Sequence, residues 1–216
     1  MAYKAVLFDM DGTLIDTLED IGDSANRVLS AENLPVYSKD EYRYFVGKGA
    51  AWLIRCMLPE EMRKEETIQK FLEAFLADYR KNLRVKSELY PGIARMLTAL
   101  SDQGLKLTVL SNKPHDMTTR FADEMLSEWN FEVVFGQRET IPRKPDPAGA
   151  MEIVKRLNVL PEDFLYVGDT GIDMETATRA GMYAVGVLWG FRQKEELLKA
   201  GARSLLKTPM DILELL

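Results

Sequence analysis

The feature that most limits what this chain can fold into is a change of period near residue 90. From Ile93 onward, stretches of helical period alternate with short, continuous apolar runs. A helix near Ile93–Asp102 precedes the run Lys106–Leu110, and one near Pro114–Leu126 precedes Phe131–Phe135. A helix near Pro147–Leu157 precedes Phe164–Val167, one near Ile172–Ala180 precedes Tyr183–Val187, and the remainder reads as mostly helical. Continuous apolar runs are strands buried on both faces, and strand–helix alternation makes a parallel sheet covered by helices. Ala5-Val6-Leu7-Phe8 is a further strand of this kind at the start of the chain.

Between that first strand and the alternation, the pattern is helical only. Leu18, Ile21, Ala25, Val28 and Leu29 fall at helical spacing, and Ser38 with Glu41 makes a capping box for a second helix. Gly49 to Leu58 reads as a third, stopped by Pro59. Ile68, Phe71, Leu72, Phe75, Leu76 and Tyr79 form the apolar stripe of a fourth, read as packing surface for the helical unit. The expected architecture is an α/β, Rossmann-like core with helices on both faces, residues 1–16 and 85–216. An all-helical unit, residues 17–84, is inserted after the first strand.

Ligands of such sheets bind beyond the carboxyl ends of the strands. The first strand ends in Asp9-Met10-Asp11, followed by Gly12 and Thr13. The second strand of the sheet ends in Ser111, Asn112 and Lys113, and a later one in Gly168-Asp169-Thr170, with Asp173 close behind. Lys144 sits in "RKPDP" between them. Crowded carboxylates repel one another unless a cation joins them. Asp9, Asp169 and Asp173 supply hard oxygen ligands, which suit Mg²⁺. Lys144 adds a fixed positive charge and Ser111 a hydroxyl, so the edge can neutralise a phosphoryl group in transfer. A carboxylate can itself attack phosphorus. A second carboxylate two residues on, across the turn that Gly12 allows, can protonate the departing alkoxide and later deprotonate water.

"FDMDGTLIDT", "LSNK", "RKPDP" and "VGDTGIDMETATRAGM", in this order, resemble the four motifs of the haloacid dehalogenase superfamily, and the helical insert resembles its first type of cap. The resemblance implies Asp9 as nucleophile and Asp11 as general acid and base. It implies Mg²⁺ held by Asp9, the backbone carbonyl of Asp11 and Asp169, with Asp173 beside it or acting through water. Ser111 and Lys144 would hold the phosphoryl group, and Thr13, Asn112 and Lys48 complete the expected substrate-binding set. "YFVGKGAAWLIRCML" and "LWGF" resemble segments of phosphoglycolate phosphatases. They imply a Mg-dependent phosphomonoesterase for a small phosphorylated metabolite.

Three alternatives stand beside this reading. A receiver-type signalling module is also phosphorylated on aspartate, but the insert and Asp11 speak against it. A true dehalogenase does not need Asp11. A β-phosphoglucomutase resembles the chain, yet Trp52 stands where its cap carries arginine and Ile21 where its hinge carries histidine. Among single residues, Asp16 is expected to N-cap the first insert helix and Cys56 to serve as a small hydrophobe. His115 reads as structural or surface; Lys113 is open between a solvated and a site role, and Trp189 between core and site border.

Cys56 is the only cysteine, so no internal disulfide forms, and a reducing, cytoplasmic setting is expected. No secretory leader or long apolar run is visible. The formal net charge of −6, with no basic stripe, argues against nucleic acid. The partner is expected to be a small phosphate ester, with no membrane association, and the protein a monomer or homodimer.

Overall fold

The computed structural model describes residues 3–216. Its main sheet has six parallel strands: β1 (Ala5–Phe8), β4 (Lys106–Pro114), β5 (Phe131–Gln137), β6 (Phe164–Gly168), β7 (Tyr183–Val187) and β8 (Ser204–Leu206). A separate antiparallel ribbon pairs β2 (Ile15–Asp16) with β3 (Glu88–Leu89). The helices are α1 (Leu18–Ala31), α2 (Lys39–Phe45), α3 (Ala50–Met57), α4 (Glu65–Lys81), α5 (Ile93–Asp102), α6 (His115–Met125), α7 (Ala148–Leu157), α8 (Gly171–Arg179) and α9 (Lys194–Lys199). A final 3-10 segment covers Pro209–Leu215.

The sheet order β5-β4-β1-β6-β7-β8 follows from the alternation. The chain runs outward from β1 through β4 to β5, crosses back to the other side of β1, and continues through β6 and β7 to β8. The order therefore reverses at β1, and the crevice it opens lies beyond Phe8, where Asp9 stands. β1 and β6 are buried on both faces, as their unbroken apolar runs require. Two apolar layers, one on each face, hold the sheet, including Phe8, Leu107 and Phe121 on one side and Leu7, Ile153 and Tyr166 on the other.

Two readings of the sequence need correction. β4 runs on to Pro114, past the apolar Leu110, because Ser111, Asn112 and Lys113 are themselves buried. The C-terminal remainder is not mostly helical, since β8 extends the sheet by pairing with β7. Its three residues are too short to show a period.

The helices α1 to α4 leave the core at β2 and return at β3, so both connections sit on the two-stranded ribbon beside Asp11. α1 packs on α2 and α4, and α3 on α4, so the stripe from Ile68 to Tyr79 faces inward. The capping box expected at Ser38 and Glu41 is present. Asp16 is not the N-cap of α1; Thr17 occupies that position, while the Asp16 carboxylate accepts the Leu18 N–H at 3.2 Å.

Two side chains seat the α2–α3 turn on the core. Asn112 donates from Nδ2 to the Gly47 carbonyl at 3.0 Å. Arg192 donates to the carbonyls of Arg43, Tyr44 and Val46.

Candidate active site

Asp9 directly follows β1, and its backbone N–H still donates to Val167 of β6 at 2.9 Å, so the carboxylate is fixed at the sheet edge. The Met10 N–H donates to Asp9 Oδ1 at 2.7 Å, and Lys144 Nζ meets the same oxygen at 2.9 Å. Lys144 also donates to Asp173 Oδ1 at 2.7 Å and is 2% exposed at its side chain, between two carboxylates. Asp173 Oδ2 takes the Thr170 N–H and hydroxyl, closing a capping box at the start of α8.

Asp169 is fully buried. Its Oδ2 accepts the Phe191 N–H at 2.7 Å and its Oδ1 the Thr13 hydroxyl at 3.3 Å. The backbones of Gly12 and Gly190 press against this carboxylate. A Cβ at either position would collide with it, and Gly12 holds φ +83°.

Carboxylate oxygens of Asp9, Asp169 and Asp173 all lie within 4.8 Å of one another. With all three carboxylates ionised, the ammonium of Lys144 leaves an excess of two negative charges (3 − 1 = 2) in a buried volume. Burial pushes the Asp9 carboxyl up to about 7; Lys144 opposes the rise and Asp173 adds to it. Burial first, then Asp173 and Asp9, hold Asp169 well above the usual carboxylate range. For Lys144, burial acts to lower the pKa, but Asp173 and Asp9 outweigh it and raise it well above that of a free lysine. The donor set is all hard oxygen with a divalent charge deficit, which fits Mg²⁺ or a similar ion.

Asp11 faces the other way. Its carboxylate accepts the Thr17 hydroxyl at 2.7 Å and contacts Lys113 Nζ at 3.0 Å, so its side chain stands outside the trio of acids. Lys113 is a buried site residue, not a solvated one, and also donates to the Tyr79 hydroxyl of α4 at 2.9 Å. Ser111, buried at the end of β4, lines the same cavity as Asp9 and Asp11. The cavity lies between the sheet edge and the insert and is open to solvent.

The other expected residues are placed as follows. Thr13 is fully buried behind Asp169, so its side chain positions that acid and does not reach the cavity. Asn112 borders the cavity and also bonds the Lys144 backbone through both amide atoms. Lys48 is exposed, its ammonium 4.6 Å from the Trp52 ring centre, and does not line the cavity; Gly47 and Gly49 beside it do. His115 is structural, accepting the Gly136 N–H on Nδ1 at 3.2 Å. Trp189 packs against the core and donates from Nε1 to the Thr13 carbonyl at 2.9 Å. Tyr79 and Phe191 also line the cavity, and the sequence does not mark either as a site residue. Tyr79 is hidden as the last member of an apolar stripe, and Phe191 contributes a backbone N–H, which no side-chain pattern reports.

The family model described as haloacid dehalogenase-like hydrolase matches residues 6–187. The chain belongs to that family. Among relatives of this haloacid dehalogenase-like hydrolase, a phosphoglycolate phosphatase of Aquifex aeolicus is 32% identical over 188 residues, 87% of this chain and 86% of the relative. Another, from Colwellia psychrerythraea, is 30% identical over 97% of this chain and 95% of its own length. The crystal structure of a predicted phosphoglycolate phosphatase from Haemophilus somnus 129PT superimposes with a TM-score of 0.91 at 28% identity, covering 99% of this chain and 97% of that one. The enzyme is thus a hydrolase with the α/β fold of that family. None of its described helices is long and apolar enough to cross a membrane.

Proposed function

We propose that this hydrolase cleaves a small phosphate monoester through a phosphorylated Asp9, with Mg²⁺ held by Asp9, the Asp11 carbonyl and Asp169. The observation that carries the reading is the buried charge deficit at Asp9, Asp169 and Asp173 beside a nucleophile-bearing strand end. Asp173 Oδ1 is held by the Lys144 ammonium and its Oδ2 by two Thr170 donors, whereas each Asp169 oxygen takes one neutral donor, so we assign Asp173 to holding Lys144 and to the metal only through water. The metal, when bound, would neutralise phosphoryl oxygens and allow the dianion to approach the acids.

The chain's own residues then perform the chemistry. Met10 N–H and Lys144 hold Asp9 Oδ1, which leaves Oδ2 without a donor among the described residues. An Asp9 oxygen attacks phosphorus as the bond to the alcohol oxygen breaks, and Asp11 gives that oxygen a proton. Ser111 and Lys144 stabilise the phosphoryl group in transit. Asp11 next takes a proton from water, the water oxygen attacks phosphorus, and Asp9 leaves as a carboxylate with inorganic phosphate released.

In this reading residues 17–84 are a lid over a core of residues 1–16 and 85–216, and the insert's seat on Asn112 and Arg192 is its closed position. The names of the relatives support 2-phosphoglycolate as the first substrate to try. The Asp9→Asn variant is expected to stay folded and lose nearly all turnover, since an amide is a poor nucleophile. Substantial kcat in that variant, or full wild-type activity in excess EDTA, overturns the proposal.

A further inference from the structure

The insert gives the cavity an almost entirely apolar wall, including Ile21, Val46, Leu53, Phe75 and Leu76. Among the described residues, the one polar side chain it contributes is Tyr79. That side chain is 2% exposed and stacked on Phe75 with ring centres 5.5 Å apart, so its hydroxyl cannot swing away. Lys113 Nζ, 2.9 Å from the Tyr79 oxygen, has no lone pair and must be the donor. The phenol oxygen is therefore the acceptor, and its own hydrogen remains to be placed. No second hydrogen bond of this hydroxyl exists among the described residues, and Tyr79 lines the cavity. Burial keeps the phenol protonated, with Asp11 adding to the effect. An O–H polarised by a neighbouring ammonium is a strengthened donor.

We infer that Tyr79 is a substrate-contact residue whose hydroxyl donates to an oxygen acceptor on the alcohol part of the substrate, so that the enzyme selects phosphorylated hydroxy acids over esters of plain alkanols. This rests on the phosphomonoesterase reading above. The contact fits a carboxylate in particular. Lys113 already meets both oxygens of Asp11 and the Tyr79 hydroxyl, so Tyr79 is the side-chain donor that the insert's otherwise apolar wall offers a substrate acid.

The test compares 2-phosphoglycolate with ethyl phosphate, which has the same chain length and no carboxylate, in wild type and Tyr79→Phe. Wild type should favour 2-phosphoglycolate at least tenfold in kcat/KM. Tyr79→Phe should lower kcat/KM for 2-phosphoglycolate about tenfold, or about 1.4 kcal/mol, while ethyl phosphate changes less than twofold. Equal losses on both substrates would show that Tyr79 acts only through Lys113 on Asp11, and would overturn the inference. Should the variant melt far below wild type, the wild-type ratio decides, and a ratio near one overturns it. Wild type inactive on both esters, and on p-nitrophenyl phosphate, would instead sink the phosphomonoesterase reading.

Discussion

Lys144 and Lys48 show how differently two lysines of one chain can be used. Lys144 is enclosed by Asp9 and Asp173 at 2.9 and 2.7 Å. Removing one partner of a buried ion network costs about 3–5 kcal/mol, because the others stay charged and unpaired. The Lys144→Met protein should therefore melt well below wild type in EDTA, and Mg²⁺ should recover part of the loss. An unchanged melting temperature would mean the acids are not jointly ionised around Lys144. Lys48 is exposed and rests near Trp52, where a cation–π contact is worth about 0.5–1 kcal/mol. Lys48→Ala should leave KM for 2-phosphoglycolate within twofold. A tenfold rise would place its ammonium on the substrate after all, in a conformation other than this one. The "GKG" turn marks a chain reversal near the site but cannot say which way its side chain points.

At the scale of elements, the insert is joined to the core by more than its two short connections. Asp20 on α1, 2% exposed, accepts the N–H groups of Val85, Lys86 and Ser87 and the Ser87 hydroxyl. One carboxylate thus gathers the returning strand of chain just before β3. Asp20→Ala would strand three backbone donors at the hinge, at about 1–3 kcal/mol for each one that water cannot reach. A loss of about 2–4 kcal/mol is expected from urea unfolding, with α1 and the return segment gaining hydrogen exchange. Unaltered exchange in residues 83–89 would show that this clamp does not fasten the hinge. Asp20 was not legible in the sequence, since an acid in the first turn of a helix is ordinary there. What could be read was everything with a period or a motif: the strands β1, β6 and β7, the four insert helices, and the acids at strand ends. β2, β3 and β8 escaped because runs of two or three residues carry no periodicity, and their pairing is fixed by contacts distant in sequence.

For the molecule as a whole, the site is a source of instability that a bound cation would reverse. Asp9, Asp169 and Asp173 share one ammonium, and burial raises the pKa of Asp9 and of Asp169. A carboxyl with a folded pKa above its unfolded value of 3.8 keeps its proton longer in the native state, so its contribution to stability falls as pH rises from 3.8 towards about 7 for Asp9. Asp169→Asn removes one of these charges with little loss of bonding. An amide oxygen can still accept the Phe191 N–H, and the NH₂ can donate to the Thr13 hydroxyl, whose own proton then turns elsewhere. In EDTA this variant should melt above wild type, by an amount that grows from pH 5 to pH 7. Wild type should gain about 2.7 kcal/mol at a Mg²⁺ concentration of one hundred times Kd, or about 5–10 °C for a chain of this size. The variant should gain little, because it has lost both a ligand and the charge deficit that attracts the ion. The opposite ordering, a variant less stable than wild type in EDTA with an undiminished response to Mg²⁺, would mean that Asp169 serves the fold and that the ion, if it binds, is held by other residues.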